Sequence, residues 1–328
     1  MQYSTFAAID IGSYDVILEI FEISKKQGIR SVDKICHRME LGKDTYTLGK
    51  IRPEMEEELC RVLADFVRIM EGYRVDDYRA TASSAISEAS NSLYVLGKIH
   101  QLTGFSVTVL SNSEQRFLSY KALAAMEDNF NKIIEKGTAI LDLDGGSFQI
   151  SLFDKDALVT TQNIRMGSLR IRERLAGIQS ETEHYEEMVE ELIWNEVSSF
   201  KKMYLKDRKI ENIMLIGDVF TDSVYQNIEE KTTKIISREN FNTWYEKIIR
   251  QSPMELAVKL GIPLENASLM YPSAVIYKCL IDMMGAEHIW IPGVHMTRGI
   301  AYEYAEQMKL LKGGHNFEND ILMAAKNI

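Results

Sequence analysis

Cysteine is scarce in this chain. Three thiols, Cys36, Cys60 and Cys279, are spread over 328 residues. Their odd number and wide spacing leave no disulfide framework and no zinc–thiolate site to expect, and they read as core thiols of a reducing cytoplasm. The six histidines (His37, His100, His184, His288, His295, His315) are equally scattered and share no zinc-ligand pattern. No apolar run approaches ~18 residues, and residues 1–6 lack the basic start and apolar core of a secretory signal, so no membrane partner is expected. Positive charge is short as well: 38 Lys and Arg against 48 Asp and Glu give a net charge of −10. That balance argues against nucleic acid as a partner. It leaves room for a small polyanion, which metal, backbone N–H groups and a few local cations can hold. A P-loop with its lysine is absent, and Ser147 has no glycine two residues on, so it is no nucleophile elbow.

What the chain does carry is one pattern written twice. Residues 7–13 read Ala-Ala-Ile-Asp-Ile-Gly-Ser, and residues 139–147 read Ala-Ile-Leu-Asp-Leu-Asp-Gly-Gly-Ser. Each is a run of small and branched apolar residues that reads as a buried strand. Each then delivers an acidic, glycine-containing turn and a second strand. Glycine lets backbone N–H groups approach an oxyanion closely, serine adds a hydroxyl, and an aspartate beside them can hold a divalent cation or a water. Two such turns facing across a cleft would grip a phosphate chain and its metal.

The length suggests two domains, and ordinary apolar (45%) and charged (26%) contents suit a globular chain. Strands are expected at 6–12, 15–23 and 32–41, then a turn-rich stretch at 42–49. A helix opens at Pro53, whose fixed φ suits a first turn, and its apolar residues from Leu59 to Met70 keep helical spacing. A strand at 78–81, a Ser83-Ser84 cap, a helix at 93–102, a strand at 106–110 and a long helix from Asn112 follow. In the second half, strands are expected near 149–153, 158–166, 213–216 and 289–291. Residues 182–205 contain no Gly or Pro and trace a helix face. From 217 to 282 the chain reads as helical, and a last helix starts near Thr297. Alternating strands and helices make this an α/β protein.

The stretches AAIDIGS, ATASSAISEASN, SNSEQ, LDLDGGS, RMGSLRIRER and SRENFNTWYEKIIRQSP occur in an order and spacing that resembles one family. It is the exopolyphosphatase and guanosine pentaphosphate phosphohydrolase family, of the actin and sugar-kinase superfamily. The resemblance implies two ribonuclease-H-like domains, residues 1–125 with 301–328 and residues 126–300, and a site in the cleft between them. It implies removal of terminal phosphate by metal-assisted water attack, with Mg²⁺ as cofactor, and a homodimer. By the same resemblance Glu114 is the candidate base. Gly12, Ser13, Gly145, Gly146, Ser147, Gly167, Ser168 and Arg170 are the phosphate binders, and Asp10, Asp142 and Asp144 are the metal ligands.

The departures are as informative. Gln149 stands where the family carries a metal-binding Glu, and Gln115 follows Glu114 where a second acid is expected. Family arginines are replaced by Ile17, Glu40, Ser87 and Asn266. Tyr14-Asp15 replaces Asn-Ser, and Asp144 replaces a glycine. Asp144 would either serve as a compensating metal ligand or repel phosphate from the turn. Each lost arginine removes a charge-assisted contact of roughly 1.5–3 kcal/mol. The leading expectation is therefore a diverged member that binds polyphosphate or a phosphorylated nucleotide, with weak or lost hydrolysis. An active phosphohydrolase and a non-catalytic scaffold, its cleft partly filled by Tyr14 and Phe148, are the alternatives.

Overall fold

The computed structural model describes residues 3–126, 130–176, 185–206, 208–217, 220–221, 223–224 and 235–311. They form two compact units, divided after Ala125 and again before His295.

The first unit is built on β1 (Ser4–Ile11), whose residues Phe6 to Ile9 are solvent-free because a strand lies on either side and a layer on each face. The sheet runs β3-β2-β1-β4-β5. Strand β2 (Asp15–Ser24) returns antiparallel from β1, with Asp10 opposite Ile17 and Ala8 opposite Glu19. Strand β3 (Gly28–Arg38) is an edge, and its burial alternates as an edge strand's should. On the other side β4 (Asp77–Ala82) and β5 (Val107–Val109) run parallel.

Helix α2 (Pro53–Tyr73) starts on Pro53 and lays Leu59, Leu63 and Phe66 against Ile9, Leu18 and Ile20. Two short helices, α3 (Ser84–Ser87) and α4 (Ser92–Thr103), complete that layer. Across the sheet, α5 (Asn112–Met126) and the last described helix of the chain cover Phe6, Ala8, Phe21 and Ile23.

The stretch at 42–49 is not a string of turns. It is helix α1 (Leu41–Leu48), ended by Gly49 at φ 70°. The turn-forming side chains are engaged in holding it. The buried Asp44 carboxylate accepts the Arg52 backbone N–H and its Nε–H, both at 2.9 Å, and Thr45 donates to the Ala85 carbonyl at 2.7 Å.

The second unit repeats the plan. Strand β6 (Thr138–Leu143) is flanked by antiparallel β7 (Phe148–Asp154) and parallel β9 (Asn212–Ile216), as β1 is by β2 and β4. Strand β8 (Ala157–Ile164) pairs with β7. Strands β10 (Ile235–Ser237) and β11 (His288–Trp290) extend the other edge, giving the order β10-β11-β9-β6-β7-β8. Strand β10 lies inside the stretch that reads as helical; three residues carry no periodicity to announce it.

The helices are α6 (Phe130–Ile134), α7 (Ser168–Leu175), α8 (Tyr185–Phe200) running into a π-turn (Lys201–Leu205), α9 (Arg238–Ile249), α10 (Pro253–Leu260) and α11 (Leu264–Met284). The expected start of α8 at 182–184 lies outside the described residues. The final helix, α12 (Met296–Gln307), belongs to the first unit. No helix among the described residues is long and apolar enough to cross a membrane.

Candidate functional site

The hairpin β1–β2 delivers the first acidic turn. Gly12 donates its N–H to the Asp15 carbonyl at 2.9 Å, closing the turn on itself. Ser13 is fully buried. Its Oγ lies 2.7 Å from Tyr46 Oη and 3.3 Å from Ser84 Oγ, and those two are 2.8 Å apart. Tyr46 comes from α1 and Ser84 from α3, so three elements meet at one hydroxyl triangle. Beside it, Ser83 Oγ is buried without a partner among the described residues. Asp10 lies opposite Thr81 in the parallel register, with Thr81 Oγ1 3.4 Å from its carboxylate.

Asp15 follows the turn and is almost wholly buried. Arg38, opposite it on β3, donates Nη1–H to Asp15 Oδ2 at 2.8 Å, and the guanidinium stacks over the Tyr14 ring at 5.5 Å. A methyl group built on Gly12 would stand 3.0 Å from Asp15 Oδ1, so this carboxylate rests against the glycine. The hairpin register pairs Asp15 with Arg38, and that pairing was the available signal for both residues.

The hairpin β6–β7 delivers the second turn and brings more of the expected binders together. Asp144 donates its N–H to the Ser147 carbonyl at 2.9 Å, and its carboxylate accepts the Gly145 N–H at 2.6 Å. Gly167 packs so closely that a Cβ there would meet the Asp144 carbonyl at 2.2 Å, which only glycine allows. Ser168 and Arg170, at the start of α7, bond the Asp144 and Gly145 carbonyls through their own N–H groups. Arg170 also donates Nε–H to the Gly146 carbonyl at 2.9 Å. Thus Gly145, Gly146, Ser147, Gly167, Ser168 and Arg170 form one local assembly. Ser168 Oγ within it is buried and makes no hydrogen bond among the described residues.

Asp142, Gln149 and Asn163 lie directly opposite one another on three adjacent strands, so their side chains share one face of the sheet. Gln149 Oε1 and Asn163 Oδ1 are buried and accept no hydrogen bond among the described residues. One carboxylate and two unpartnered amide oxygens suit a hard cation in donor type, though with a single negative charge. The oxygens are the right kind for Mg²⁺ and too few in charge for a strong site. Among the described residues no group of three or more His, Cys, Asp or Glu side chains is arranged to hold a metal. Asn163 follows from counting the β7–β8 register outward from Gln149.

Glu114 opens α5 as the N-terminal clamp of a helix. Its carboxylate accepts the Ser111 N–H at 2.7 Å and its own N–H donates to Ser111 Oγ at 3.3 Å, a reciprocal capping box. The Ser111 hydroxyl and the Ser111 N–H, both acting on the carboxylate, hold it below the usual glutamate range. Glu114 also borders a cavity of about 580 Å³ lined by Arg79, Thr81, Thr108, Leu110, Phe117 and Glu303, among others.

The model of the Ppx/GppA phosphatase family matches residues 19–308. The chain belongs to this family. A bifunctional 3-dehydroquinate synthase/phosphatase of Fusobacterium nucleatum is 21% identical over 310 residues, covering 86% of this chain and 44% of that protein. Exopolyphosphatase 1 of Mycobacterium leprae is 25% identical over 144 residues, 44% of this chain and 41% of the relative. The chain therefore spans less than half the length of these curated relatives. Among solved structures, an exopolyphosphatase from Cytophaga hutchinsonii superposes with a TM-score of 0.81 at 17% identity, covering 95% of this chain and 100% of that one. The Aquifex aeolicus Ppx/GppA family member gives 0.73 at 17% identity, covering 94% and 99%. These likenesses establish the fold, a two-unit α/β architecture.

Proposed function

We propose that this member of the Ppx/GppA family binds a polyphosphate or a phosphorylated nucleotide at its acidic glycine turns and hydrolyses it slowly or not at all. The observation that carries this is the state of the turn donors. The Gly12 N–H is taken by the Asp15 carbonyl and the Gly145 N–H by the Asp144 carboxylate. Phosphoryl transfer depends on pre-aimed donors and cations, and a single missing transition-state donor costs about a hundredfold or more. Isoleucine, glutamate, serine and asparagine at 17, 40, 87 and 266 remove cations on top of that.

Ser168, Arg170 and the Gly145-Gly146-Ser147 turn, held as one local assembly, are the proposed phosphate-binding group, with Gly12, Ser13 and Gly167 shaping the backbone around the turns. Mg²⁺ is the proposed cofactor, with Asp142 as its carboxylate ligand and Gln149 and Asn163 as oxygen donors. A bound Mg²⁺ would supply charge neutralisation of phosphate oxygens. One observation favours the active reading instead: Glu114 is held ionised at the edge of a cavity that also touches Thr81, the neighbour of Asp10.

Phosphate release from long-chain polyphosphate and from guanosine pentaphosphate, with Mg²⁺ or Mn²⁺, separates the readings. We expect native turnover within a few-fold of Glu114→Gln, a variant that keeps a capping oxygen. Turnover a hundredfold above that control would establish an enzyme and overturn the slow-hydrolysis reading. Calorimetric titration of the native protein with polyphosphate tests binding alone.

A further inference from the structure

The two turns share a feature that neither the fold nor glycine geometry requires: each has a carboxylate pressed against its glycine. In the second turn Asp144 Oδ1 sits 2.6 Å from the Gly145 nitrogen, in the position an oxyanion would take to receive that N–H. In the first, Asp15 Oδ1 lies 3.0 Å from the point where a Gly12 Cβ would be, and Oδ2 holds Arg38 at 2.8 Å. Asp15 is 8% exposed, so its charge is held in the turn and is not a solvated surface group. Arg38 is a strong cation beside the first turn, and its charge is balanced by Asp15.

We propose that Asp144 and Asp15 are resident anions that set which ligands these turns accept, weakening the binding of highly charged oligophosphates. The proposal rests on the reading of the turns as phosphate-facing. Asp144 acts in two ways: its oxygen occupies a backbone donor, and its charge repels a second anion. Asp15 acts through charge, by neutralising the guanidinium that an incoming phosphate would otherwise meet.

The two effects can be separated by substitution. Asp144→Asn keeps an oxygen to accept the Gly145 N–H and removes only the charge. Asp144→Gly removes both, and Asp15→Asn removes the carboxylate charge that Arg38 meets. The probe is inorganic tripolyphosphate, titrated calorimetrically into the full chain with and without Mg²⁺. Glu246→Gln, an exposed residue on α9, controls for net charge alone, and a thermal melt checks that each variant is folded.

A unit charge removed a few ångströms from the ligand should tighten binding by about tenfold or more at low salt, with the gain shrinking as salt rises. We expect that gain for Asp144→Gly, for Asp144→Asn and for Asp15→Asn, and none for Glu246→Gln. A gain in the glycine variant only would assign the effect of Asp144 to donor occupancy. Native binding with no gain in any variant overturns the proposal and leaves the binding function standing. Gain in variants of a native protein that does not bind supports the proposal and overturns the binding function. Failure of every folded variant to bind overturns the proposal too, since removing the anions has then opened nothing. Weaker binding of Asp144→Asn in Mg²⁺ would instead make Asp144 a metal ligand and sink the resident-anion role.

Discussion

His295 precedes the first turn of α12 with extended backbone, and its surroundings decide its charge. Part of the residue reaches solvent, yet burial of its ring pushes the pKa down to about 4, with Lys34 and Arg298 adding to the effect and Glu19 opposing it. An unfolded histidine titrates near 6.5. Between those values the unfolded chain takes up a proton that the folded chain refuses. The stability contributed by the neutral ring is therefore whole above pH 6.5 and is lost as pH falls toward 4. A series of thermal melts from pH 7 to pH 4 should show the midpoint of the first unit falling through that window. His295→Gln should flatten this part of the curve, and an unchanged slope in the variant would remove His295 as its source. Glu114 is shifted in the same direction for a different, local reason, since the Ser111 hydroxyl and the Ser111 N–H both favour its ionised carboxylate.

At the scale of elements, α12 is fixed at its start by one buried carboxylate. Thr297 Oγ1 donates to Glu19 Oε2 at 2.5 Å and Ser31 Oγ donates to Glu19 Oε1 at 2.7 Å, joining β2, β3 and α12. The anion also sits at the positive end of a twelve-residue helix. Thr297→Val keeps the shape and leaves a buried charge short of a donor, which costs about 1–3 kcal/mol. Urea unfolding should show that loss, while Thr297→Ser, which keeps the hydroxyl, should show much less. This contact was not legible in the sequence, because it joins residues 278 apart. The paired hairpins were legible, since an apolar run ending in Asp and Gly needs no distant information. Helix α1 was misread because Gly42, Asp44 and Gly49 are good turn residues locally, and only the tie from Asp44 to Arg52 makes a helix of them. The substitutions at 149 and 144 were plain in the sequence. What Asp144 does with its oxygen was not, because one residue type suits both a metal ligand and an internal acceptor.

Over the whole molecule, the two units differ in how the chain supplies their cores. The second unit's sheet and the helices described with it come from the single stretch between 126 and 294. The first needs its final helix back: Ile300, Ala301, Tyr304 and Ala305 pack on Phe6, Ala8, Phe21 and Ile23, and Tyr304 stacks on Phe6 with ring centres 4.0 Å apart. Burying each large apolar side chain contributes roughly 1.5–3 kcal/mol, so this layer represents a sizeable part of the 5–15 kcal/mol that holds a typical domain folded. Arg79–Glu303 and Lys121–Glu306 ion pairs fasten the same helix from two further elements. A chain ending at Val294 should therefore lose the first unit selectively. Hydrogen exchange should show fast exchange across β1, β2 and β4, with protection kept in β6, β7 and β9. Adding a peptide of residues 295–311 should restore protection in the first sheet. Equal protection in both sheets without α12 would mean that the first unit's other layer holds it alone, and uniform loss would mean that the two units unfold as one.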